Sequence, residues 1–252
     1  MSSKNQNRFA KLKFEDFKSM AVDKTLSRYE KIGFPDSYRS GQEEGIFKDI
    51  TNKLTNINKM NMTVVDIGPG CSDLAFMLID LCRAREHSLV LIDSQEMLEQ
   101  LPDDNFITKV PAYYPDECEW IFKKYAHKVA AILTYSVLHY VFVEGNIFNF
   151  LDRSLSLLND GGEMLIGDIP NISKRKRFFH SPNGIKFHQE FTGKNELPSI
   201  QFNIIEEEQI DDAVILSIIM RCQQSGFDAY CLPQPEDLPM ANRRDDILIK
   251  RP

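Results

Sequence analysis

The stretch Val64-Val65-Asp66-Ile67-Gly68-Pro69-Gly70 decides the fold of this chain, because it joins an apolar strand to a tight Gly-x-Gly turn. A second apolar run, Ser88-Leu89-Val90-Leu91-Ile92, ends at Asp93, and a helical pattern lies between the two runs. A strand, a glycine turn, a helix and an acidic strand end form the arrangement with which parallel α/β sheets bind a nucleoside. Glycine lets the backbone approach the ligand, and the carboxylate can accept hydrogen bonds from both ribose hydroxyls. The sequence therefore predicts a nucleoside-containing cofactor at the carboxyl ends of these two strands.

Two positions around the turn distinguish a dinucleotide from other nucleosides. The dinucleotide fingerprint has a third Gly or Ala three residues after the second glycine, whereas this chain has Asp73, which would repel a phosphate. The position two residues before the first glycine is usually apolar in dinucleotide enzymes, and here it is Asp66. Both acids count against a nicotinamide cofactor, although an NAD-dependent oxidoreductase stays an alternative.

Strand and helix patterns alternate along the chain, which predicts an α/β fold with a doubly wound, mostly parallel sheet. The predicted strands cover residues 63–67, 88–92, 106–110, 130–134, 163–167, 228–232 and 246–250. The predicted helices cover residues 14–32 (as one or two helices), 42–54, 72–83, 96–101, 118–124, 146–158 and 211–224. Loops are expected over residues 1–11, 33–40 and 159–162. Residues 170–209 contain several prolines and glycines and are too long for an ordinary connection, so we expect an irregular functional insertion there.

The composition is typical of a soluble globular protein. The 252 residues, 42% apolar and 27% charged, are enough for one large domain with a sizeable core. The net charge of -7 argues against general nucleic-acid binding, which needs a positive surface. Five cysteines without a C-x-x-C pair predict reduced thiols in a cytoplasmic protein. The sequence shows neither an apolar targeting segment at its start nor an apolar run of bilayer length, so no membrane association is expected.

The pattern Asp66-x-Gly68-x-Gly70, followed by Asp93, resembles motif I of the Rossmann-like S-adenosylmethionine-dependent methyltransferases. Residues 94–98, 132–140 and 159–166 are similar to further motifs of that family, and the resemblance covers residues 62–251. S-Adenosylmethionine has no phosphates and carries an ammonium and a sulfonium, which suit acidic surroundings. The resemblance implies a seven-stranded sheet of order 3-2-1-4-5-7-6 that ends in an antiparallel hairpin. It also implies a helical lid over residues 1–55 and a cofactor-binding domain over residues 56–252, in which residues 170–209 cover the methyl acceptor.

Within this resemblance, seven residues are expected to bind the cofactor. They are Arg39, Asp66, Gly68, Gly70, Asp93, Ser94 and Thr134. Arg39 is the predicted partner of the cofactor carboxylate, because a guanidinium binds a carboxylate through two hydrogen bonds. Asp66 is expected near the methionine end, and Thr134 would offer its backbone to the cofactor amino group. Structural roles remain open for some of them: Asp93 could cap a helix, and Arg39 could be a surface arginine.

Other residues are expected around the methyl acceptor. His139 follows the fourth strand and Asp168 follows the fifth, so both are candidates for the catalytic base. The predicted acceptor-binding residues are Tyr135, His180, Lys186 and His188. The basic run over residues 174–177 could join them in binding an anionic group, or it could be a solvated surface.

The chain departs from three patterns in related enzymes. No acid or amide follows the third strand, so adenine recognition by backbone groups is expected. The Asn/Asp-Pro-Pro-Tyr/Phe motif of enzymes that methylate planar amino groups is absent at the end of the fourth strand. The magnesium-dependent type needs acids after both the fourth and the fifth strand, and only Asp168 is present, so no metal is expected.

A second resemblance concerns the insertion. Residues 167–174 and 184–191 resemble small methyltransferases of bacterial capsule and surface-glycan loci, including ones proposed to methylate a phosphoramidate decoration. We therefore expect metal-independent methylation of a small anionic acceptor, most simply at oxygen. The alternatives are N-methylation of a small molecule, a cofactor-binding protein without catalysis, and the NAD-dependent oxidoreductase. The sequence does not indicate an oligomeric state.

Overall fold

Seven strands form a single sheet in the computed structural model, which describes Phe9 and residues 11–252. They are β1 (Thr63–Ile67), β2 (Ser88–Asp93), β3 (Ile107–Pro111), β4 (Val129–Tyr135), β5 (Leu158–Pro170), β6 (Asp228–Pro233) and β7 (Arg244–Lys250). Their order is β3-β2-β1-β4-β5-β7-β6, in which β1 to β5 run parallel and β7 lies antiparallel between β5 and β6. The predicted α/β class, the strand order and the antiparallel hairpin are confirmed. The predicted loop over residues 1–11 falls almost entirely outside the described residues.

Helices cover both faces of the sheet. Among the described residues they are α1 (Phe14–Val22), α2 (Arg28–Lys31), α3 (Asp36–Arg39), α4 (Glu43–Lys53), α5 (Asp73–Ala84), α6 (Gln95–Leu98), α7 (Glu119–Tyr125), α8 (Leu138–Glu144), α9 (Ile147–Leu155), α10 (Ile172–His180), α11 (Pro182–Thr192) and α12 (Asp212–Gln224). None of these helices is both long and apolar enough to cross a membrane, within the part of the chain that is described.

Two apolar cores result from the alternation of side chains along the strands. Val64 points to the face covered by α4, α5 and α6, whereas its neighbour Val65 points to the face covered by α7, α9 and α12. Phe150 of α9 is fully buried, and burial of one such side chain contributes roughly 1.5–3 kcal/mol. Because β1 and β2 are parallel and Ile67 pairs with Ile92, the glycine turn and Asp93 emerge at the same edge of the sheet.

The first half of the insertion is helical, whereas residues 193–209 are irregular as expected. The amide of Asn171 caps α10 by accepting from the N–H groups of Ser173 and Lys174 at 3.0 and 3.1 Å. Ser181 caps α11, and Pro182 occupies the first helical position, where proline is favoured because no N–H is needed. Gly193 ends α11 in the left-handed conformation. The proline and the glycine that predicted a loop therefore mark the two ends of a helix.

Three smaller predictions also need correction. The predicted loop over residues 33–40 contains the one-turn helix α3. The sequence analysis missed α8, whose residues were assigned only to the motif after the fourth strand. The predicted turn over residues 159–162 lies within β5, where the pairing with β4 is irregular and Gly161 adopts a φ of 71°. The glycine accommodates an irregularity there, and the strand continues beyond it.

Candidate active site

Direct hydrogen bonds hold the glycine turn and Asp93 together. The N–H of Gly70 donates to Oδ2 of Asp93 at 3.0 Å, and the N–H of Ser94 donates to Oδ1 at 2.7 Å. An ionised carboxylate has about four acceptor positions, so each oxygen keeps one for a ligand. Asp93 thus lies where the sequence analysis expects it. Ser94 has a structural role, because it is buried and its hydroxyl caps α6 by accepting from the N–H of Met97 at 3.2 Å.

The two glycines are required by their backbone conformation and by close packing. Gly68 has a φ of 74° and Gly70 a φ of 61°, which side chains of L-residues rarely adopt. A Cβ on Gly68 would lie 2.5 Å from Cγ2 of Val137, and one on Gly70 would lie 2.6 Å from Cγ2 of Ile32. The side chains that exclude a Cβ here come from Val137, just after β4, and from Ile32 of the N-terminal segment. The glycines therefore let the protein close tightly around the turn.

Asp66 lies beneath the turn instead of facing the crevice that the turn borders. Its side chain is 4% exposed, and burial, with a further contribution from Asp93, raises its pKa to about 8. Burial also raises the pKa of Asp93, to about 6, although the N–H groups of Ser94 and Gly70 oppose the shift. Near neutral pH, Asp66 is thus largely protonated while Asp93 is ionised. Asp66 is not among the residues that line the crevice, so its contact with a cofactor stays a prediction.

An apolar crevice extends from the glycine turn along the carboxyl ends of the strands. Its lining includes Phe14, Phe17, Ile32, Phe34, Ala112, Tyr113, Tyr114, Tyr135, Val137, Tyr140 and Val141. Aromatic contacts close it at the N-terminal side, since Phe14 meets Tyr113 edge-on at 5.1 Å and Phe17 meets Tyr140 at 5.0 Å between ring centroids. Such a crevice accommodates a flat, apolar ring system such as a purine.

A buried group of polar side chains forms the other end of the crevice. Nη2 of Arg39 donates to Oγ of Ser136 at 2.7 Å and to Oδ2 of Asp168 at 3.2 Å. The hydroxyl of Ser136 donates in turn to Oδ2 of Asp168 at 2.5 Å. Ser136 and Asp168 have φ values of 62° and 57°, a strained conformation that is typical of functional sites when the fold enforces it. Arg39 is 4% exposed and stacks on the ring of Phe34 at 4.2 Å, so it is not a surface arginine.

Thr134 and His139, two predicted residues near the end of β4, are not among the residues that line the crevice, and the backbone contact predicted for Thr134 stays a prediction. Thr134 is completely buried in the sheet, whereas Tyr135 and Ser136 line the crevice. His139 lies on another face of α8 than Val137, Tyr140, Val141 and Glu144, which line the crevice at helical spacing. Burial and the charge of Arg244 lower the pKa of His139 to about 3, so it is a much weaker base than the near-neutral histidine we expected. The predicted catalytic role of His139 is therefore not supported by its surroundings.

The insertion brings one of its three predicted acceptor-binding residues to a cavity. His188 lines a second cavity, next to Phe179, whose ring centroid lies 6.2 Å from that of the histidine. His180 is exposed and contacts Phe202, and Lys186 is exposed with its Nζ 3.9 Å from Glu190. Both point away from the cavities because helical geometry places them on the outer faces of α10 and α11. Neither residue lines a cavity in which it could contact the acceptor as predicted.

Several residues of the site were missed by sequence reasoning. Ser136 lies within the fourth-strand motif, but the sequence does not show its positive φ or the hydrogen bond from its hydroxyl to Asp168. Arg243 and Arg244 line the second cavity together with Arg175, although their positions just before the last strand carry no motif. Glu43 is buried at the start of α4, and burial raises its pKa while Arg39 opposes the shift. A charged residue at the start of a predicted helix gave no sign of burial.

The surroundings of Asp168 do not suit a metal ion. Besides Arg39, the guanidinium of Arg244 lies 3.5 Å from Oδ1 of Asp168. Within the described residues, no group of three or more His, Cys, Asp or Glu side chains could hold a metal ion. Two arginines beside one carboxylate neutralise the charge that a hard cation such as Mg²⁺ requires.

The fold is similar to that of solved methyltransferase structures. A SAM-dependent methyltransferase from Aquifex aeolicus matches with a TM-score of 0.53 and 12% identity over 89% of this chain and 97% of that chain. The plantazolicin methyltransferase BpumL, in complex with a monoazolic desmethylPZN analog and SAH, matches with a TM-score of 0.57 and 10% identity over 98% of both chains. A putative S-adenosyl-L-methionine-dependent methyltransferase from Methanococcus maripaludis matches with a TM-score of 0.51 and 17% identity over 95% and 93% of the two chains.

These likenesses establish the methyltransferase-type α/β fold over almost the whole chain. No family model and no curated protein matches the sequence. At such low identity, the functional argument has to come from the side chains of the site itself.

The packing around the turn predicts that Gly68→Ala destabilises the protein more than Gly161→Ala does. Both glycines have a φ near 70°, but a Cβ on Gly161 meets nothing within 4 Å, whereas one on Gly68 meets Val137. Gly161→Ala therefore reports the backbone cost alone, about 1–2 kcal/mol, and Gly68→Ala adds about 1–3 kcal/mol of overpacking. Urea unfolding measures both. Adding Val137→Ala to Gly68→Ala should reduce the difference, and equal destabilisation by the two single variants would contradict the packing argument.

Proposed function

We propose that this chain binds S-adenosylmethionine in the apolar crevice and transfers its methyl group to a small acceptor. The observation that carries the proposal is the pair of hydrogen bonds that fixes the Asp93 carboxylate against the glycine turn. This carboxylate lies at the carboxyl ends of parallel strands, which is where open α/β sheets bind nucleosides. The likeness to solved methyltransferase structures supports the same assignment.

The residues of the crevice fit the parts of that cofactor. The apolar and aromatic lining suits adenine, and Asp93 suits the two ribose hydroxyls. Arg39 offers a guanidinium to the carboxylate of the methionine part, which it can bind through two hydrogen bonds. In the structure the same guanidinium contacts Ser136 and Asp168, so binding of the cofactor would exchange one carboxylate partner for another.

When bound, the cofactor supplies a methyl group on a positively charged sulfur, which a nucleophile on the acceptor takes up by in-line displacement. The protein aligns the acceptor and keeps water away, and Phe14, Phe17 and Phe34 provide the apolar cover. Asp168 is the candidate that remains for accepting a hydroxyl proton, since the pKa of His139 is lowered to about 3. Ser136 orients the Asp168 carboxylate through its hydrogen bond, and Tyr135 forms the wall beside it.

The acceptor that we propose is small and anionic, and O-methylation is the reaction most compatible with a carboxylate base. A component of a surface polysaccharide, such as a phosphorylated sugar or a phosphoramidate, fits this description, and the resemblance of residues 167–174 and 184–191 supports it. N-Methylation of a small molecule would need less help with the proton and remains the second candidate. The scattered cysteines and the net charge of -7 support a cytoplasmic enzyme that does not act on nucleic acid.

The N-terminal segment disfavours an oxidoreductase that binds NAD. A dinucleotide places its pyrophosphate at the N-terminus of the first crossover helix, here α5. That position is occupied by the Asp73 carboxylate, which pairs with Arg28 and accepts from the hydroxyl of Tyr29 at 2.7 Å. Arg28 and Tyr29, which belong to the proposed lid, thereby occupy the place where phosphates would bind.

Calorimetry on the purified chain tests the cofactor. S-Adenosylhomocysteine should bind and NAD should not, and Asp93→Asn should raise the dissociation constant by roughly 10–150-fold, as expected for losing about 1.5–3 kcal/mol of charge-assisted hydrogen bonding. Asp80→Asn, at an exposed position on the outer side of α5, is the matched control and should bind like the wild type. Binding of NAD in preference to S-adenosylhomocysteine would refute the proposal. Transfer of a radioactive methyl group to some acceptor separates an enzyme from a protein that only binds the cofactor.

The pKa of Asp93, about 6, predicts the pH dependence of cofactor binding. Above pH 6 the carboxylate is ionised and accepts both ribose hydroxyls, and below pH 6 it is increasingly protonated and can do so less well. Affinity for S-adenosylhomocysteine should therefore be constant above about pH 7 and fall by up to about tenfold per pH unit below pH 6. Asp93→Asn should bind weakly without this pH dependence. A wild-type affinity that is flat down to pH 5 would show that Asp93 does not hold the ribose.

The arginines around Asp168 predict that methyl transfer does not need a divalent metal. Transfer, followed as S-adenosylhomocysteine formed, should be unchanged by EDTA, and titration with Mg²⁺ should give no heat of binding at the site. Removing Arg244 as Arg244→Met should not create a requirement for metal, because Arg39 remains beside Asp168. Activity that is lost in EDTA and restored by Mg²⁺ would contradict this expectation.

A further inference from the structure

A second cavity lies between α3, α10, α11 and the segment before β7, and three arginines line it. They are Arg175, Arg243 and Arg244. Among the residues described, no aspartate or glutamate lines this cavity, although the chain as a whole is acidic. The positive charge of the guanidinium groups is therefore not balanced by a carboxylate in the wall of the cavity.

The charges of these arginines are only partly compensated. Arg244 lies near Asp168, but that carboxylate is also bonded to Arg39. Arg175 and Arg243 form no ion pair with a described residue, and the buried Nε of Arg243 has no hydrogen-bond partner. Burial lowers the pKa of Arg243, and repulsion from Arg244 and Arg175 adds to the shift. A guanidinium held in this way is stabilised when an anion binds beside it.

Aromatic rings complete the wall of the cavity. The guanidinium groups of Arg175 and Arg243 lie 5.2 and 5.4 Å from the ring centroid of Phe179, and Arg243 lies 5.9 Å from that of Phe187. Stacking on rings fixes the planar guanidinium groups and leaves their N–H edges available, which favours recognition of an oxyanion through two hydrogen bonds. The rings also offer apolar surface to the rest of a ligand.

The cavity adjoins the proposed cofactor crevice. Phe34 lines both, and Arg39 stacks on its ring at 4.2 Å. Asp168 connects the two sides, because it bonds to Ser136 in the crevice and lies 3.5 Å from Arg244 in the cavity. A ligand anchored at the arginines could therefore present a nucleophile close to Asp168.

We propose that this cavity binds the anionic group of the methyl acceptor, a carboxylate or phosphate attached to an apolar or ring-shaped body. The assignment rests on the proposed methyltransferase function only for calling the ligand an acceptor; the anion site itself rests on the arginines. It differs from the expectation for His180 and Lys186, since the charge comes from Arg175, from Arg243 just before β7 and from Arg244, the first residue of β7. Two oxyanion geometries share this chemistry, a planar carboxylate and a tetrahedral phosphate.

Binding of simple probes to the full-length chain tests the site. Phenyl phosphate and benzoate represent the two oxyanions, and benzyl alcohol is the neutral probe of similar shape. We expect at least one anion to bind in ligand-observed NMR and to lose affinity as salt rises, whereas benzyl alcohol binds much more weakly. The stronger of the two anions identifies the oxyanion that the site prefers.

Matched substitutions locate the binding. Arg243→Met keeps an apolar stem of similar length and should weaken anion binding by about tenfold or more, with a smaller effect for the exposed Arg175→Met, which carries little risk for folding. Lys194→Met removes an exposed charge from the same insertion, with its Nζ 3.8 Å from Glu196, and should change nothing. Affinity for S-adenosylhomocysteine should be nearly unchanged in all three, and circular dichroism checks that each is folded.

The outcomes separate this inference from the proposed function. If the wild type binds S-adenosylhomocysteine but neither anion, or if Arg175→Met and Lys194→Met weaken anion binding equally, the anion site is refuted and the methyltransferase proposal stands. If the anions bind through Arg243 but S-adenosylhomocysteine does not bind, the anion site stands and the methyltransferase proposal fails.

Discussion

One fully buried carboxylate, that of Asp246 in β7, holds the region on which the site depends. Its Oδ2 binds Nζ of Lys53 at 2.7 Å, and its Oδ1 accepts from Nε2 of Gln234 at 3.0 Å and from the backbone N–H of Asp168 at 2.8 Å. Burial raises the pKa of Asp246, but Lys53 and these hydrogen bonds oppose the shift. Taking a charge out of water costs several kcal/mol, and excellent hydrogen-bond geometry is needed to offset it.

That network explains why β5 can change direction at the active-site edge. The pairing of β5 with β7 is irregular between Ile166 and Ile169, and Asp168 leaves the regular ladder there with a positive φ. Its N–H would be unsatisfied inside the protein if Asp246 did not accept from it. Because the backbone is held in this strained form, the side chain of Asp168 points to Arg39 and Ser136.

Asp168 consequently stands between two groups of positive charge. Arg39 belongs to the crevice, and Arg244 belongs to the cavity with the unpaired Arg243. A carboxylate has a limited number of acceptor positions, so an anion that binds either arginine also changes what Asp168 retains. If the two proposed ligands bind on the two sides, each relieves the carboxylate of one cationic partner. The charge distribution thus provides a physical link between cofactor binding and acceptor binding.

The parts of the fold that the sequence predicts are those fixed by local pattern. The strands, the glycine turn and Asp93 follow from apolar periodicity and from backbone requirements, which act over a few residues. The site around Asp168 depends instead on contacts between residues that are far apart in the chain. Arg39 lies 97 positions before Ser136 and 129 positions before Asp168. No local signal indicates such contacts. His139 was misjudged because its distance from the strand end was considered, whereas the face of α8 on which it lies decides its surroundings.

The N-terminal segment, up to α4, lines both the crevice and the second cavity, and its contacts differ in strength. Ile32 packs against Gly70, and Phe34 lines both the crevice and the second cavity, so this segment forms part of the wall of each. One of its polar contacts, between Arg28 and Asp73, is half-exposed, and such pairs contribute only about 0–1 kcal/mol. The hydrogen bond from Tyr29 to the same carboxylate raises the pKa of the tyrosine to about 12, so it persists throughout the physiological pH range. The buried hydrogen bonds of Arg39 to Ser136 and Asp168 fasten the segment more firmly. The part of the segment around α3 is therefore tied to the ends of β4 and β5, whereas its exposed contact at Arg28 adds little.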